Sequence, residues 1–131
     1  MSLQTEIIQR DPGTTTLALR GRLDSASHES FDAAALNWFA GAPAGEVGHS
    51  FVLDLAGLDY ISSAGLRSVF KARKEALAHG HRLLVLGAQP QVQKVFDIVK
   101  AVPLSEIFAS NEELDAYLDE IQQRMLDPDA D

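Results

Sequence analysis

The stretch FVLDLAGLDYISSAGLR, Phe51 to Arg67, decides how this chain is read. It opens on a nearly continuous apolar run, Phe51 to Leu55, the pattern of a central strand covered on both faces. It ends on two serines, an alanine and a glycine where a long helical pattern begins. A strand that hands over to a helix in this way predicts an α/β unit. Ser62 and Ser63 can each cap that helix. The small residues let the chain turn, and one of the hydroxyls could in addition be chemically used.

Working outward, Leu3 to Arg10 reads as a strand and Asp11-Pro12-Gly13 as a turn. Thr14 to Leu19 is β-branched and partly alternating, a second strand in a hairpin. Asp24 or Ser25 would cap a helix running to about Phe39, with Phe31, Ala34, Ala35 and Trp38 on its core face. Residues 41–50 read as a loop. In the helix after Ser62 or Ser63, Leu66, Val69, Phe70, Arg73 and Leu77 trace one face, and His79-Gly80 ends it. RLLVL, Arg82 to Leu86, reads as a second buried strand. Gln89 and Pro90 open a helix with Val92, Val95, Phe96 and Val99 at helical spacing. Ser105 to Phe108 suits a short edge strand. Ser110 to Glu113 reads as a capping box ahead of an apolar stripe of Leu114, Tyr117, Leu118 and Ile121. The order β-β-α-β-α-β-α-(β)-α predicts an α/β fold with a mostly parallel sheet of four to five strands and about four helices. Residues 1–126 form one domain, and residues 127–131 read as a flexible acidic tail.

Composition narrows the function classes. The chain has 131 residues and no cysteine, which removes disulfides, thiolate nucleophiles and cysteine metal sites. Its 19 acidic and 11 basic residues give a formal net charge of -8, which repels nucleic-acid phosphates. No run approaches the roughly 20 apolar residues that span a bilayer, and the N-terminus lacks the order of a signal peptide. A cytoplasmic protein that binds neither nucleic acid nor membrane is expected.

Catalytic chemistry finds little support. GAPAG, residues 41–45, is not a phosphate-binding P-loop and follows a helix rather than a strand. His28, His49, His79 and His81 have no metal-ligand spacing. No G-x-S-x-G elbow surrounds the serines. No catalytic residue, metal or cofactor is expected, and the chain reads as a non-enzyme. Two acidic residues stand out. Asp54 ends the strand 51–55 and Asp24 follows the second strand, so both should gather with Ser62 and Ser63 at the carboxyl edge of the sheet. The plain alternatives are a helix cap for Asp24 and the serines, and a turn-stabilising residue for Asp54.

LDLAGLDYISSAGLRSVFKA, Leu53 to Ala72, resembles the signature of STAS domains, most of all that of bacterial anti-sigma factor antagonists. RGRLD, Arg20 to Asp24, resembles the family's G-x-[LI]-D segment. The resemblance covers about residues 3–120 in element order. It implies a regulatory module that binds an anti-sigma factor or related serine kinase when dephosphorylated. It further implies that the kinase uses ATP and that a PP2C-type phosphatase reverses the modification. The family's phosphorylated position, two before the Gly-Leu pair, is Ser63 here, at a helix start that would expose its hydroxyl beside free backbone N–H groups. Ser62 stands where relatives often carry Asp and is a second candidate. Ala56 stands where many carry Ser or Thr. Asp24, Asp54, Ser62, Gly65, Leu66 and Arg67 are the expected partner-binding residues. Alternatives are a STAS subunit of a lipid-transport ATPase complex, or a small-ligand-binding or enzymatic domain using the aspartates and serines.

Overall fold

The N-terminal strands form the expected hairpin in the computed structural model, which describes residues 3–11, 13–41, 48–101 and 108–127. β1 (Leu3–Asp11) runs antiparallel to β2 (Thr14–Leu23), from Leu3 opposite Gly21 to Asp11 opposite Thr14. β2 continues past Leu19 through Arg20 to Leu23, where the turn to the first helix was expected sooner. Gly21, at φ 98°, adopts the left-handed backbone that lets the strand bulge and keep pairing.

β3 (Ser50–Ile61) lies parallel to β2, from Thr14 opposite Ser50 to Leu23 opposite Ile61. The expected strand ended at Leu55. Ala56 to Asp59 stay extended because two register shifts against β2 absorb the extra residues. β4 (Arg82–Leu86) pairs parallel to β3 only as far as Asp54 opposite Leu86. The sheet order is β1-β2-β3-β4, a mixed sheet with two of its three pairings parallel.

The helices are α1 (His28–Ala40), α2 (Ser63–Ala78), α3 (Pro90–Ala101) and α4 (Asn111–Leu126). α1 packs on α2, and α3 on α4. Pro90 opens α3, and the Ser110 hydroxyl accepts from the Glu113 N–H at 3.2 Å, as the capping box predicts. The strand expected over residues 105–108 lies, apart from Phe108, outside the described residues, as does the tail beyond Asp127.

One hydrophobic core joins Leu17, Leu19 and Leu23 of β2 to Phe51, Leu53, Leu55, Leu58 and Ile61 of β3. Phe31, Ala35 and Trp38 of α1 close one part of it, and the Trp38 indole N–H donates to the Thr15 carbonyl at 3.2 Å. Two expected faces differ. α2 buries Leu66, Val69, Ala72 and Ala76, while Phe70 and Leu77 are 44% and 53% exposed. The alanines bring the helix close to its neighbours, which leaves the bulkier Phe70 and Leu77 on the outer side. β4 is not a buried strand either: Leu83 is buried, but Leu84, Val85 and Leu86 are exposed, because β4 is the last strand among the described residues.

Where β4 stops, side-chain amides take over its pairing role along β3. Gln89 Nε2 donates to the Ala56 carbonyl at 2.9 Å and Gln91 Nε2 to that of Asp59 at 3.0 Å. Gln122 of α4 accepts from the Ile61 N–H at 3.0 Å and donates to the Ile61 carbonyl at 2.8 Å. A buried backbone polar group must find a partner; Gln122 supplies it for buried Ile61, while Gln89 and Gln91 engage the carbonyls of the exposed residues Ala56 and Asp59.

Candidate functional site

The β3–α2 junction assembles most of the residues the sequence singled out. Ser62 is extended, its N–H donates to the Leu23 carbonyl at 3.0 Å, and its hydroxyl accepts from the Gly65 N–H at 3.2 Å. Ser62 is therefore the N-cap of α2 and Ser63 its first residue. Gly65 sits against the ends of both strands. A Cβ there would lie 2.5 Å from the Leu23 carbonyl oxygen and 3.0 Å from Ile61 Cγ1. Leu66 is buried, and Arg67 is exposed on the next turn.

Asp24 reaches this junction by a different local device from the expected cap. α1 begins at His28 with Ser27 as its N-cap, later than a cap at Asp24 or Ser25 would place it. Asp24 Oδ1 accepts from the Ala26 N–H at 3.0 Å, a turn closed by a side chain. The Ser27 hydroxyl donates to the Arg22 carbonyl at 2.7 Å and accepts from the Asp24 N–H at 2.9 Å. Arg22 completes the loop, with Nε 3.4 Å from Asp24 Oδ2 and its guanidinium 4.0 Å from the centre of the Tyr60 ring.

Asp54 does not gather with the serines. It pairs with Ala18, five residues before Leu23 on β2, which at about 3.3 Å per residue sets it roughly 16 Å back along the sheet. Its Oδ1 accepts from the Ala56 N–H at 3.0 Å, so the backbone-stabilising reading of Asp54 describes it. The separation arises because β3 continues beyond Asp54 instead of ending there.

Ser63 also departs from its expected exposure. It is 2% exposed, and its hydroxyl has no hydrogen-bond partner. Its N–H donates to Asp115 Oδ1 of α4 at 2.8 Å, and Arg67 Nη1 donates to Asn111 Oδ1 at 3.2 Å. The two helix-terminal N–H groups of Ser63 and Gly65 are thus taken by Asp115 and Ser62. Asn111, Asp115 and Gln122 escaped the sequence reading because they are polar residues on an amphipathic helix. Their one signal is spacing: with buried Leu118 they recur at 111, 115, 118 and 122, a single helical face.

Tyr60 lies under this contact and is 8% exposed. Burial, with the nearby Asp119 and Asp115 carboxylates, raises its phenol above the ordinary 10.0, against a smaller opposing pull from Arg22. The neutral phenol is the form the fold favours. Its stabilising contribution is present below pH 10.0 and is lost as pH rises through the raised value. Urea midpoints measured between pH 8 and about pH 11 should fall less for Tyr60→Phe than for the wild type. Equal falls would show that Tyr60 does not carry the alkaline loss.

A shallow depression of ≈ 210 Å³ beside the junction is lined by His28, Asp32, Ala64, Arg67, Ser68 and Lys71. Among the described residues no group of three or more His, Asp or Glu side chains could hold a metal ion. No helix among them is long and apolar enough to cross a membrane.

The chain is similar to several known proteins. The proposed anti-sigma factor antagonist BtrV of Bordetella bronchiseptica is 37% identical over 86 residues, covering 66% of this chain and 70% of BtrV. The anti-sigma factor antagonist SpoIIAA has a similar fold in its unphosphorylated form, with 23% identity, TM-score 0.55, and 72% of this chain and 83% of SpoIIAA covered. Its phosphorylated form, from Bacillus, gives a TM-score of 0.52 with 73% and 83% covered at the same 23% identity. An anti-sigma factor antagonist from Mycobacterium paratuberculosis matches with 19% identity, TM-score 0.56, and 78% and 84% covered. The STAS domain family model matches residues 6–114, and the chain belongs to the STAS domain family.

Proposed function

We propose that this chain is an anti-sigma factor antagonist that works by partner switching. Unphosphorylated, it binds an anti-sigma factor or related serine kinase; phosphorylation of Ser63 ends that binding. The single observation that carries the reading is the place of Ser63: first residue of α2, two before Gly65, at the strand end next to the Asp24 loop. The 37% identity to BtrV supports it from outside the geometry. The docking surface would be centred on Asp24 and Arg67, with buried Ser62, Gly65 and Leu66 shaping it from beneath. Asp54 stands too far back to share that patch.

In the transfer step the Ser63 hydroxyl oxygen would attack the γ-phosphorus of ATP. The new O–P bond forms as the bond from that phosphorus to the β–γ bridging oxygen breaks. The hydroxyl proton passes to a base of the kinase, and ADP leaves. A PP2C-type phosphatase would return serine and inorganic phosphate by hydrolysis. The chain is the substrate in both directions.

The phosphate adds about −1.5 to −2 charge at pH 7. A partner docked at this junction would have to accommodate and desolvate that charge, and like-charge contacts cost several kcal/mol across an interface. Each 1.4 kcal/mol is tenfold in affinity. Phosphorylation should therefore weaken partner binding at least about tenfold. The test is incubation with the cognate anti-sigma kinase and ATP, phosphosite mapping, and binding of each form. Label on Ser63, loss of binding on phosphorylation, and a Ser63→Ala variant that binds without being labelled are expected. Label on Ser62 would move the site, and unchanged binding by the phosphorylated protein would defeat the switch.

A further inference from the structure

The contact between α4 and Ser63 has the geometry of a latch. At its C-terminal half α4 is held by neutral, fully buried bonds: Gln122 to both backbone groups of Ile61, beside Leu118, both residues 0% exposed. At its N-terminal half it is held by Asp115 on the Ser63 N–H and Asn111 on Arg67, while Asn111, Glu112 and Glu113 are exposed. The first half is thus the part that can lift, with Leu118 and Gln122 as the pivot. Under it lies a serine hydroxyl that is buried and has no partner.

Charge decides which way the latch moves. Asp115 is the anion at the start of α2, where the helix end favours negative charge. A second anion on Ser63 would compete for the same N–H and face Asp115 directly. Glu112, Glu113 and Asp119 lie on the same half of α4, which carries no basic residue between 111 and 119. Asp24, on the Arg22 loop, adds like charge on the strand side, and Arg22 is already engaged with it. Arg67 is the nearby cation, and its bond to Asn111 ties it to the latch.

We propose that the first half of α4 is an intrachain latch that covers Ser63 in the neutral state and is expelled when position 63 becomes anionic. This rests on reading Ser63 as the modified position.

Hydrogen–deuterium exchange on the full chain, with no partner or kinase present, tests this. Ser63→Glu should speed exchange of amides 114–119 at least about tenfold, with β2 and β3 still protected. Adding Asp115→Asn, which keeps an acceptor and removes the charge, should restore much of the protection. Asp115→Ala alone should also loosen residues 114–119. Unchanged exchange in a folded Ser63→Glu overturns the proposal. If Ser63→Glu does not fold, Asp115→Ala decides it, and unchanged exchange there overturns it equally. A latch that opens in these variants while no kinase labels Ser63 would leave the latch standing and bring down the phosphorylation reading alone.

Discussion

Gly65→Ala is expected to lower the melting temperature by roughly 10 °C, although it replaces a helical glycine with the best helix former. In an open helix position that change stabilises by about 0.5–1 kcal/mol. Here the added methyl would lie 2.5 Å from the Leu23 carbonyl oxygen, 2.9 Å from Leu23 Cγ and 3.0 Å from Ile61 Cγ1. The carbonyl cannot give way easily, because it accepts from the Ser62 N–H at 3.0 Å in the last rung between β2 and the junction. The start of α2 would have to move off the sheet, at a cost of about 3 kcal/mol. Valine should be worse. The sign is the decisive measurement: a melting temperature equal to or above the wild type would mean that the close approach of helix and strand ends is absent. Partner binding by Gly65 variants has to be judged against this loss, because the crowding arises within the domain.

Gln122→Leu is expected to cost about 3 kcal/mol and shift the urea midpoint down by roughly 1–2 M. The residue is 0% exposed, and its amide satisfies both the N–H and the carbonyl of Ile61. Leucine matches its bulk but neither of its bonds, and each buried group left unpaired costs about 1–3 kcal/mol. The bond to the Leu118 carbonyl at 3.1 Å matters less, since that group lies in helix α4 and has a main-chain donor. Glutamate should be no better, because a carboxylate cannot donate to the Ile61 carbonyl and would be buried without a counter-ion. A leucine variant within about 1 kcal/mol of the wild type would show that water or a shifted backbone satisfies Ile61.

The fold was legible wherever the signal was local. The apolar run at Phe51, the alternation at Thr14 and the helical spacing of Val92, Val95, Phe96 and Val99 each report their own element. The length of β3 was not legible, because the continuous apolar run stops at Leu55 and only pairing with β2 holds Ala56 to Asp59 extended. The exposure of Leu84, Val85 and Leu86 was hidden for the same kind of reason: it depends on which strand ends the sheet. At the site, the family resemblance named Ser63, and the carboxyl-edge argument set Asp24 near the β3–α2 junction, where its loop lies. It could not show that Asp115, 52 residues away, closes over Ser63, nor that Asp54 is left behind by the longer strand. Contacts of that range are written in the tertiary fold, and a polar residue on an amphipathic helix looks solvated until the fold is known.

The glutamine amides that follow β4 along β3 bear on how the molecule avoids its own kind. A strand that outruns its neighbour leaves a row of carbonyls and N–H groups on which an unrelated chain can add as another strand, the first step of edge-to-edge aggregation. Gln89, Gln91 and Gln122 occupy that row with side chains that offer no continuing backbone of their own. Among the described residues no further strand pairs along that stretch of β3, and an incoming strand would find these backbone groups already engaged.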